Sequence, residues 1–135
     1  MLRVLAVAGL SLTLLAACSP AADKTASADP NAGLDTEILA WRTSIEAEHP
    51  TCAAKVEGKG CQDFQVMCKG LQAISADETA KGVGSKVVAA MTFASRNPDG
   101  STGKSGSAFA LFTKTGGTWA RAESPPVNMR TCAPL

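Results

Sequence analysis

The sequence lacks tyrosine, has few aromatic residues of any kind and contains a single histidine. Of its 135 residues, four are Phe and two are Trp. A small chain with so few large rings can build only a modest hydrophobic core. Because His49 is the only histidine, a metal site built on several histidines is excluded.

The chain also lacks an excess of charge of either sign. It has 13 Lys plus Arg against 12 Asp plus Glu, for a formal net charge of +1. Proteins that bind nucleic acid usually carry a strongly basic patch, because they neutralise phosphates. We therefore expect no nucleic-acid partner.

No apolar segment is long enough to predict a membrane-spanning helix. Val4–Ala17 is uncharged and rich in Leu, Val and Ala, and Arg3 precedes it. A spanning helix needs about 20 apolar residues to cross about 30 Å of hydrocarbon. A positive start, a short apolar stretch and small residues before a cleavage point are typical of a secretory signal.

The signal ends in Leu15, Ala16, Ala17 and Cys18. This order resembles the lipobox of bacterial lipoproteins. The resemblance implies that residues 1–17 are a signal peptide and that Cys18 becomes the first mature residue, carrying covalent lipid such as palmitate. Two alternatives are an ordinary signal cut near Ala21 or Ala22, which the nearby Pro20 disfavours, and an uncleaved anchor, which the short apolar run disfavours.

The same resemblance predicts a location in the bacterial cell envelope. Acyl chains on Cys18 would hold the protein on a bilayer with its domain facing the periplasm. In lipoproteins, an Asp after the modified Cys favours the inner membrane, whereas this chain has Ser19. We therefore expect the outer membrane, with the lipid bilayer and an envelope protein as partners.

Residues 18–33 are predicted to be the lipidated Cys and a flexible tether, because Ser19–Gly33 contains only small, polar and proline residues. Residues 34–135 are predicted to form a single small domain.

The domain is predicted to begin with an amphipathic helix. Helical spacing places four apolar residues on one stripe of the segment Leu34–His49, which ends before Pro50. Asp35 is a candidate N-cap, and His49 would place positive charge at the helix C-terminus. Both Trp side chains, Trp41 and Trp119, are expected in the core.

Four strands are predicted from alternating apolar residues and turn signals. In the segment Asp63–Cys68, alternation places Phe64, Val66 and Cys68 on one face. Glycine-rich or proline-containing turns separate three later strands, Lys86–Ser95, Ser107–Lys114 and Thr118–Glu123. We therefore predict an α+β fold in which one N-terminal amphipathic helix packs on a small antiparallel sheet of about four strands, stapled by disulfides.

Four cysteines remain after Cys18, and an even number in a small exported domain predicts two disulfides. Cys52–Cys61 with Cys68–Cys132 is the favoured pairing, because Gly58 and Gly60 let the first loop fold back and the second bond would hold the C-terminal tail. Spacing alone leaves the two other pairings open. The cysteines are too far apart in sequence to form the close pairs of zinc sites.

Several short motifs suggest catalysis but lack the context that catalysis needs. Gly103–Ser105 matches the end of a phosphate-binding loop, yet Pro98 stands where that motif requires glycine. Ser101–Lys104 and Lys114–Gly116 match two motifs of penicillin-binding proteins, but these motifs lie on neighbouring turns of a chain that is too small. We therefore predict no catalytic, cofactor-binding or metal-binding residues and no enzymatic activity.

The expected function is that of a membrane-anchored, non-enzymatic binding or envelope-interaction module. The alternative is an inhibitor or immunity-type protein that presents an edge strand or a loop, such as Asn97–Gly106, to an envelope enzyme.

Overall fold

The structure, a computed structural model, describes residues 29–135. The predicted signal peptide, Cys18 and most of the predicted tether lie outside this range. The described chain forms two α-helices, one 3₁₀ turn and four strands. In chain order they are α1 Leu34–Glu48, the 3₁₀ turn Pro50–Cys52, β1 Cys61–Leu71, α2 Ala76–Ala80, β2 Val83–Arg96, β3 Thr102–Thr115 and β4 Thr118–Glu123.

The four strands form one sheet in the order β1-β2-β3-β4, and every neighbouring pair is antiparallel. This meander confirms the predicted four-stranded antiparallel sheet. Gly116 and Gly117 connect β3 to β4 with φ angles of 56° and 88°. Only glycine adopts such angles at little cost, which explains the tight turn at this point.

One face of the sheet lies against α1. The indole of Trp41 meets the ring of Phe112 edge-on, with centroids 5.7 Å apart and planes at 73°. Both residues are almost fully buried. The rest of this cluster consists of Cys52, Cys61 and apolar side chains from α1, β2 and β3, namely Leu34, Ile38, Ile45, Val87, Ala89, Met91, Phe93 and Ala110.

The opposite face lies against the C-terminal tail. Val88 and Ala90 of β2 are buried there with Val127 and Cys132 of the tail. Four half-buried side chains, Cys68, Phe109, Leu111 and Met129, border this smaller cluster. The alternation of β2 therefore buries both sides of the strand, which is why its central segment contains almost no polar residue.

Both disulfides form in the favoured pairing. Cys52–Cys61 joins the 3₁₀ turn to the start of β1, with Cα atoms 5.0 Å apart. Cys68–Cys132 joins β1 to the tail across 64 residues of sequence, with Cα atoms 5.7 Å apart. Gly70 makes room for the second bond, since a Cβ at that position would lie 2.6 Å from the Cβ of Cys132.

The predicted N-cap of α1 is wrong. The helix begins at Leu34, and the residue before it, Gly33, has a left-handed φ of 88° and provides no side-chain cap. Asp35 instead forms an exposed ion pair with Lys69 of β1, with an O–N distance of 3.0 Å. His49 is the residue that ends α1, and its Nδ1 accepts a hydrogen bond from the Thr51 amide at 3.2 Å.

The predicted alternation of β1 is also wrong. Phe64 packs with the cluster on the α1 face, whereas Cys68 packs with the tail cluster on the opposite face. The reason is two breaks in the register with β2, between Gln62 and Gln65 and between Val66 and Cys68. Each extra residue shifts the following side chains to the other face, and a simple period of two cannot anticipate this.

The segment before α1 contacts the sheet, although the sequence assigns it to the tether. The carbonyl of Ala32 accepts hydrogen bonds from Lys114 Nζ at 2.9 Å and from Trp119 Nε1 at 3.0 Å. The Ser85 hydroxyl donates to Asn31 Oδ1 at 2.7 Å. These bonds fasten the start of α1 to the β3–β4 hairpin and to the start of β2.

Candidate functional site

The sheet has a step where β4 stops. The last paired residues of β3 and β4 are Ala110 and Glu123, and the Ser124 amide then donates to the Phe109 carbonyl at 3.2 Å. The remaining part of β3, as far as Thr102, has no β4 residue beside it. This stretch, residues 102–108, pairs with β2 on one side, and within residues 29–135 no strand pairs with its other side, which we call the open edge.

The open edge presents unpaired backbone groups. In an antiparallel sheet, the N–H and C=O of alternate residues point to opposite neighbours. The Phe109 carbonyl points toward β4, so the backbone groups of Ser107 and Ser105 point the same way. Those of Gly106 and Ala108 point toward β2. The edge thus offers a row of donors and acceptors at every second residue.

A groove of about 440 Å³ lies at this step, between α1 and the sheet. It is open to solvent and has both apolar and polar walls. The C-terminal half of α1 forms one wall, β3 the floor, and the end of β4 the other wall. The lining residues are Trp41, Ser44, Ile45, Glu48, His49, Pro50, Ser107, Ala108, Phe109, Arg121, Glu123 and Ser124.

The charges of the groove are unpaired among the described residues. Glu48, Arg121 and Glu123 are all exposed. The two ion pairs of residues 29–135, Lys69–Asp35 and Lys86–Glu78, lie elsewhere. Two carboxylates and one guanidinium thus line the groove.

Two polar side chains of the groove, Ser44 and His49, are already bonded to the backbone. The Ser44 hydroxyl donates to the Trp41 carbonyl at 2.8 Å. His49 accepts from Thr51, and its ring meets the Phe93 ring edge-on, with centroids 4.8 Å apart. Ser44 and His49 therefore have local structural roles, and their bonds do not form the serine–histidine contact that activates a nucleophile.

None of the described residues that the sequence suggested as functional contributes to the groove. The four domain cysteines are structural disulfides, and Cys18 lies outside the described residues. The segment Gly103–Ser105 lies in a strand, which is not the strand-to-helix turn of a phosphate loop. Within the described part of the chain, no group of three or more His, Cys, Asp or Glu side chains could hold a metal ion.

Sequence reasoning missed the groove. Arg121 and Glu123 look like ordinary strand residues, and Ser105 and Ser107 look like turn and strand residues. The available signal was Pro125 and Pro126, which end β4 because proline offers no amide to a neighbour. That signal gives the end of β4 but not the point along β3 where the pairing stops.

No protein-family model, curated protein or solved structure matches this chain. Of the helices in residues 29–135, none has both the length and the apolar character needed to span a membrane.

Proposed function

We propose that this protein is a bacterial envelope lipoprotein, anchored through lipid on Cys18, that binds a partner protein at the groove beside the open edge. The mature chain would begin at Cys18, which makes α1 its N-terminal helix, packed on the sheet. The domain would face the periplasm, with the outer membrane favoured by Ser19. Its role is binding, without catalysis.

One observation carries the binding proposal: β4 stops halfway along β3 and leaves polar backbone groups unpaired beside a groove. Unpaired strand edges invite association, and folded proteins usually shorten, bulge or cover them. The open edge has none of these devices between Ser105 and Phe109, where its pairing with β2 is regular.

The anchor is tested by growing producing cells with labelled palmitate. We expect label on the native protein, no label on Cys18→Ser, and release of that variant from membranes. An unlabelled mature chain that begins at Ala22 or Asp23 would show that the signal is an ordinary one.

The binding role is tested by site-specific photo-crosslinking in intact cells. A photoreactive residue replaces Ser107 in the groove, and the matched control replaces Glu57 in the exposed turn before β1. We expect a discrete crosslinked adduct from position 107 and none from position 57. Equal labelling at the two positions, or none at either, would contradict a binding site at the groove.

The tip of the β2–β3 hairpin favours the second candidate, an inhibitor or immunity-type protein. Asp99 accepts hydrogen bonds from the amide and hydroxyl of Ser101, at 2.9 and 2.6 Å, and these bonds lower the pKa of its carboxyl group. Asn97 donates to the Ser101 hydroxyl at 3.0 Å. The exposed tip is therefore a preformed turn that could enter an enzyme cleft. A crosslinker at Pro98 that captures an envelope enzyme, with none captured at Ser107, would favour this candidate.

A further inference from the structure

We infer that the partner supplies an extended peptide segment, which adds to the open edge as a fifth strand and places a Lys or Arg side chain near Glu48 and Glu123. This inference rests on the proposed binding function and specifies the chemistry of what is bound.

The unpaired backbone groups of the open edge favour an extended peptide over a small molecule as the bound partner. The unpaired groups of Ser105 and Ser107 are spaced two residues apart, which is the repeat of a neighbouring strand. At about 3.3 Å per residue, the seven residues of the open edge span roughly 20 Å. A strand in line with β4, beyond Glu123, would meet these groups with its own N–H and C=O groups, as in recognition by strand addition.

The part of the open edge beside the groove leaves room for such a strand. Residues 105–108 are Ser, Gly, Ser and Ala, so no large side chain lies along this part, and Lys104, at the next position, is exposed. At Gly106 the space on the α1 face is filled by the Phe93 ring, 2.5 Å from where a Cβ would lie.

The charged residues that line the groove indicate which peptide side chain would bind there. Two carboxylates, Glu48 and Glu123, line the groove together with one guanidinium, Arg121. The site therefore has a surplus of negative charge that a Lys or Arg would neutralise. An acidic peptide would meet repulsion from both carboxylates.

The other sheet edge offers a natural control. β1 is also an edge strand, but two register breaks interrupt it. Lys69 is held by Asp35, and the Arg42 guanidinium lies 4.7 Å from the Phe64 ring centroid. Bulges and charges of this kind protect an edge from pairing. We therefore expect strand addition at β3 and not at β1.

The test uses detergent-solubilised full-length protein and a displayed library of random heptapeptides. We expect selected peptides to be enriched in Lys and Arg and to shift the backbone NMR signals of Gly103–Phe109. N-methylation of alternate peptide amides should weaken binding by about tenfold or more in one frame and little in the other, because alternate amides face β3. Absence of any binding peptide, or equal effects of methylation in both frames, would overturn strand addition.

Protein variants test the two parts of the inference separately. Ser107→Pro removes an outward-facing amide at a position where an edge strand tolerates proline, and it should weaken binding by about tenfold or more. Leu71→Pro on the β1 edge is the matched control and should leave affinity unchanged. Glu48→Gln and Glu123→Gln should each weaken binding severalfold, whereas Glu57→Gln should not.

The outcomes also separate this inference from the proposed function. A crosslink at position 107 in cells, without any peptide that needs the open edge, would leave the binding function standing and refute strand addition. Peptides that bind Ser107→Pro as well as the native protein would do the same. Absence of both crosslink and peptide would refute both proposals.

Discussion

A regular helix covers one face of the sheet, whereas an irregular tail covers the other. On the α1 face, four buried helix residues meet a row of apolar strand residues, with Trp41 against Phe112 at the centre. On the tail face, the buried cluster has only four members, and one of them is the disulfide residue Cys132. Each face contains one disulfide, but on the tail face it accompanies far fewer buried apolar residues, so the covalent bond should carry a larger share of the stability there.

The route of the tail also explains the open edge. After Glu123, the chain leaves β4 at Pro125 and crosses to the tail face, where Val127 is buried beside Val88 and Ala90. Cys68–Cys132 then fastens it near β1, at the far side of the sheet. The chain therefore cannot continue along β3, and the edge remains available for a partner.

The largest expected effect is on the α1 face. Trp41→Ala should lower the free energy of unfolding by about 3–5 kcal/mol, because it removes a buried indole and leaves a cavity against Phe112. The control is Leu39→Ala on the same helix, where the side chain is 61% exposed and the loss should stay near 0.5 kcal/mol. Urea unfolding followed by circular dichroism measures both, and equal losses would contradict a core centred on Trp41.

The next effect compares the two disulfides. In the chain-entropy account, a bond that closes 64 residues stabilises by about 4 kcal/mol and one that closes nine residues by about 2.5 kcal/mol. Cys68→Ser/Cys132→Ser should therefore melt at a lower temperature than Cys52→Ser/Cys61→Ser. The reverse order would show that the tail face does not depend on its covalent bond.

A smaller effect tests how closely the tail lies on the sheet. Gly70→Ala should cost about 1–3 kcal/mol, because its Cβ would stand 2.6 Å from that of Cys132 and the tail must move. Gly84→Ala is the matched control in β2, since a Cβ there meets nothing within 4 Å. Thermal melts should separate the two variants. If both are neutral, the tail lies further from β1 than described.

The smallest effect concerns α2, which contacts Lys86 at the start of β2. The hydrogen bond from Lys86, and then those from Ser75, lower the pKa of Glu78 from 4.5 to about 2. Because the folded pKa is the lower one, this contribution to stability is complete above about pH 4.5 and is lost as the pH falls toward 2. Glu78→Gln should flatten the pH dependence of unfolding in that window, and an unchanged acid profile would contradict the assignment.

The sequence predicted the parts of the fold that depend on local chemistry. The β4 bounds and the Gly116–Gly117 turn agree with the structure, and so does the favoured disulfide pairing, although spacing alone left two other pairings open. The α2 helix was missed, although Ser75 and Glu78 form the reciprocal cap that their spacing allows. The predicted loop Asn97–Gly106 is too long, because β3 begins at Thr102 through pairing with Arg96 that glycine-rich sequence does not reveal.

The candidate site could not be predicted because it depends on how the strands pair and on where each pairing ends. The bulges of β1 arise from its pairing with β2, and the open edge arises from the register between β3 and β4. A local pattern of apolar residues predicts neither register. The roles of Ser105 and Ser107 come from backbone direction, which their side chains do not reveal.

Amide hydrogen exchange along β3, followed by NMR on the full-length protein, tests the open edge most directly. The account predicts alternation: fast exchange at Ser105 and Ser107, whose amides face outward, and slow exchange at Gly106 and Ala108, whose amides face β2. Uniformly slow exchange across these four residues would show that another segment or a second copy already covers the edge, and would contradict the proposed binding site.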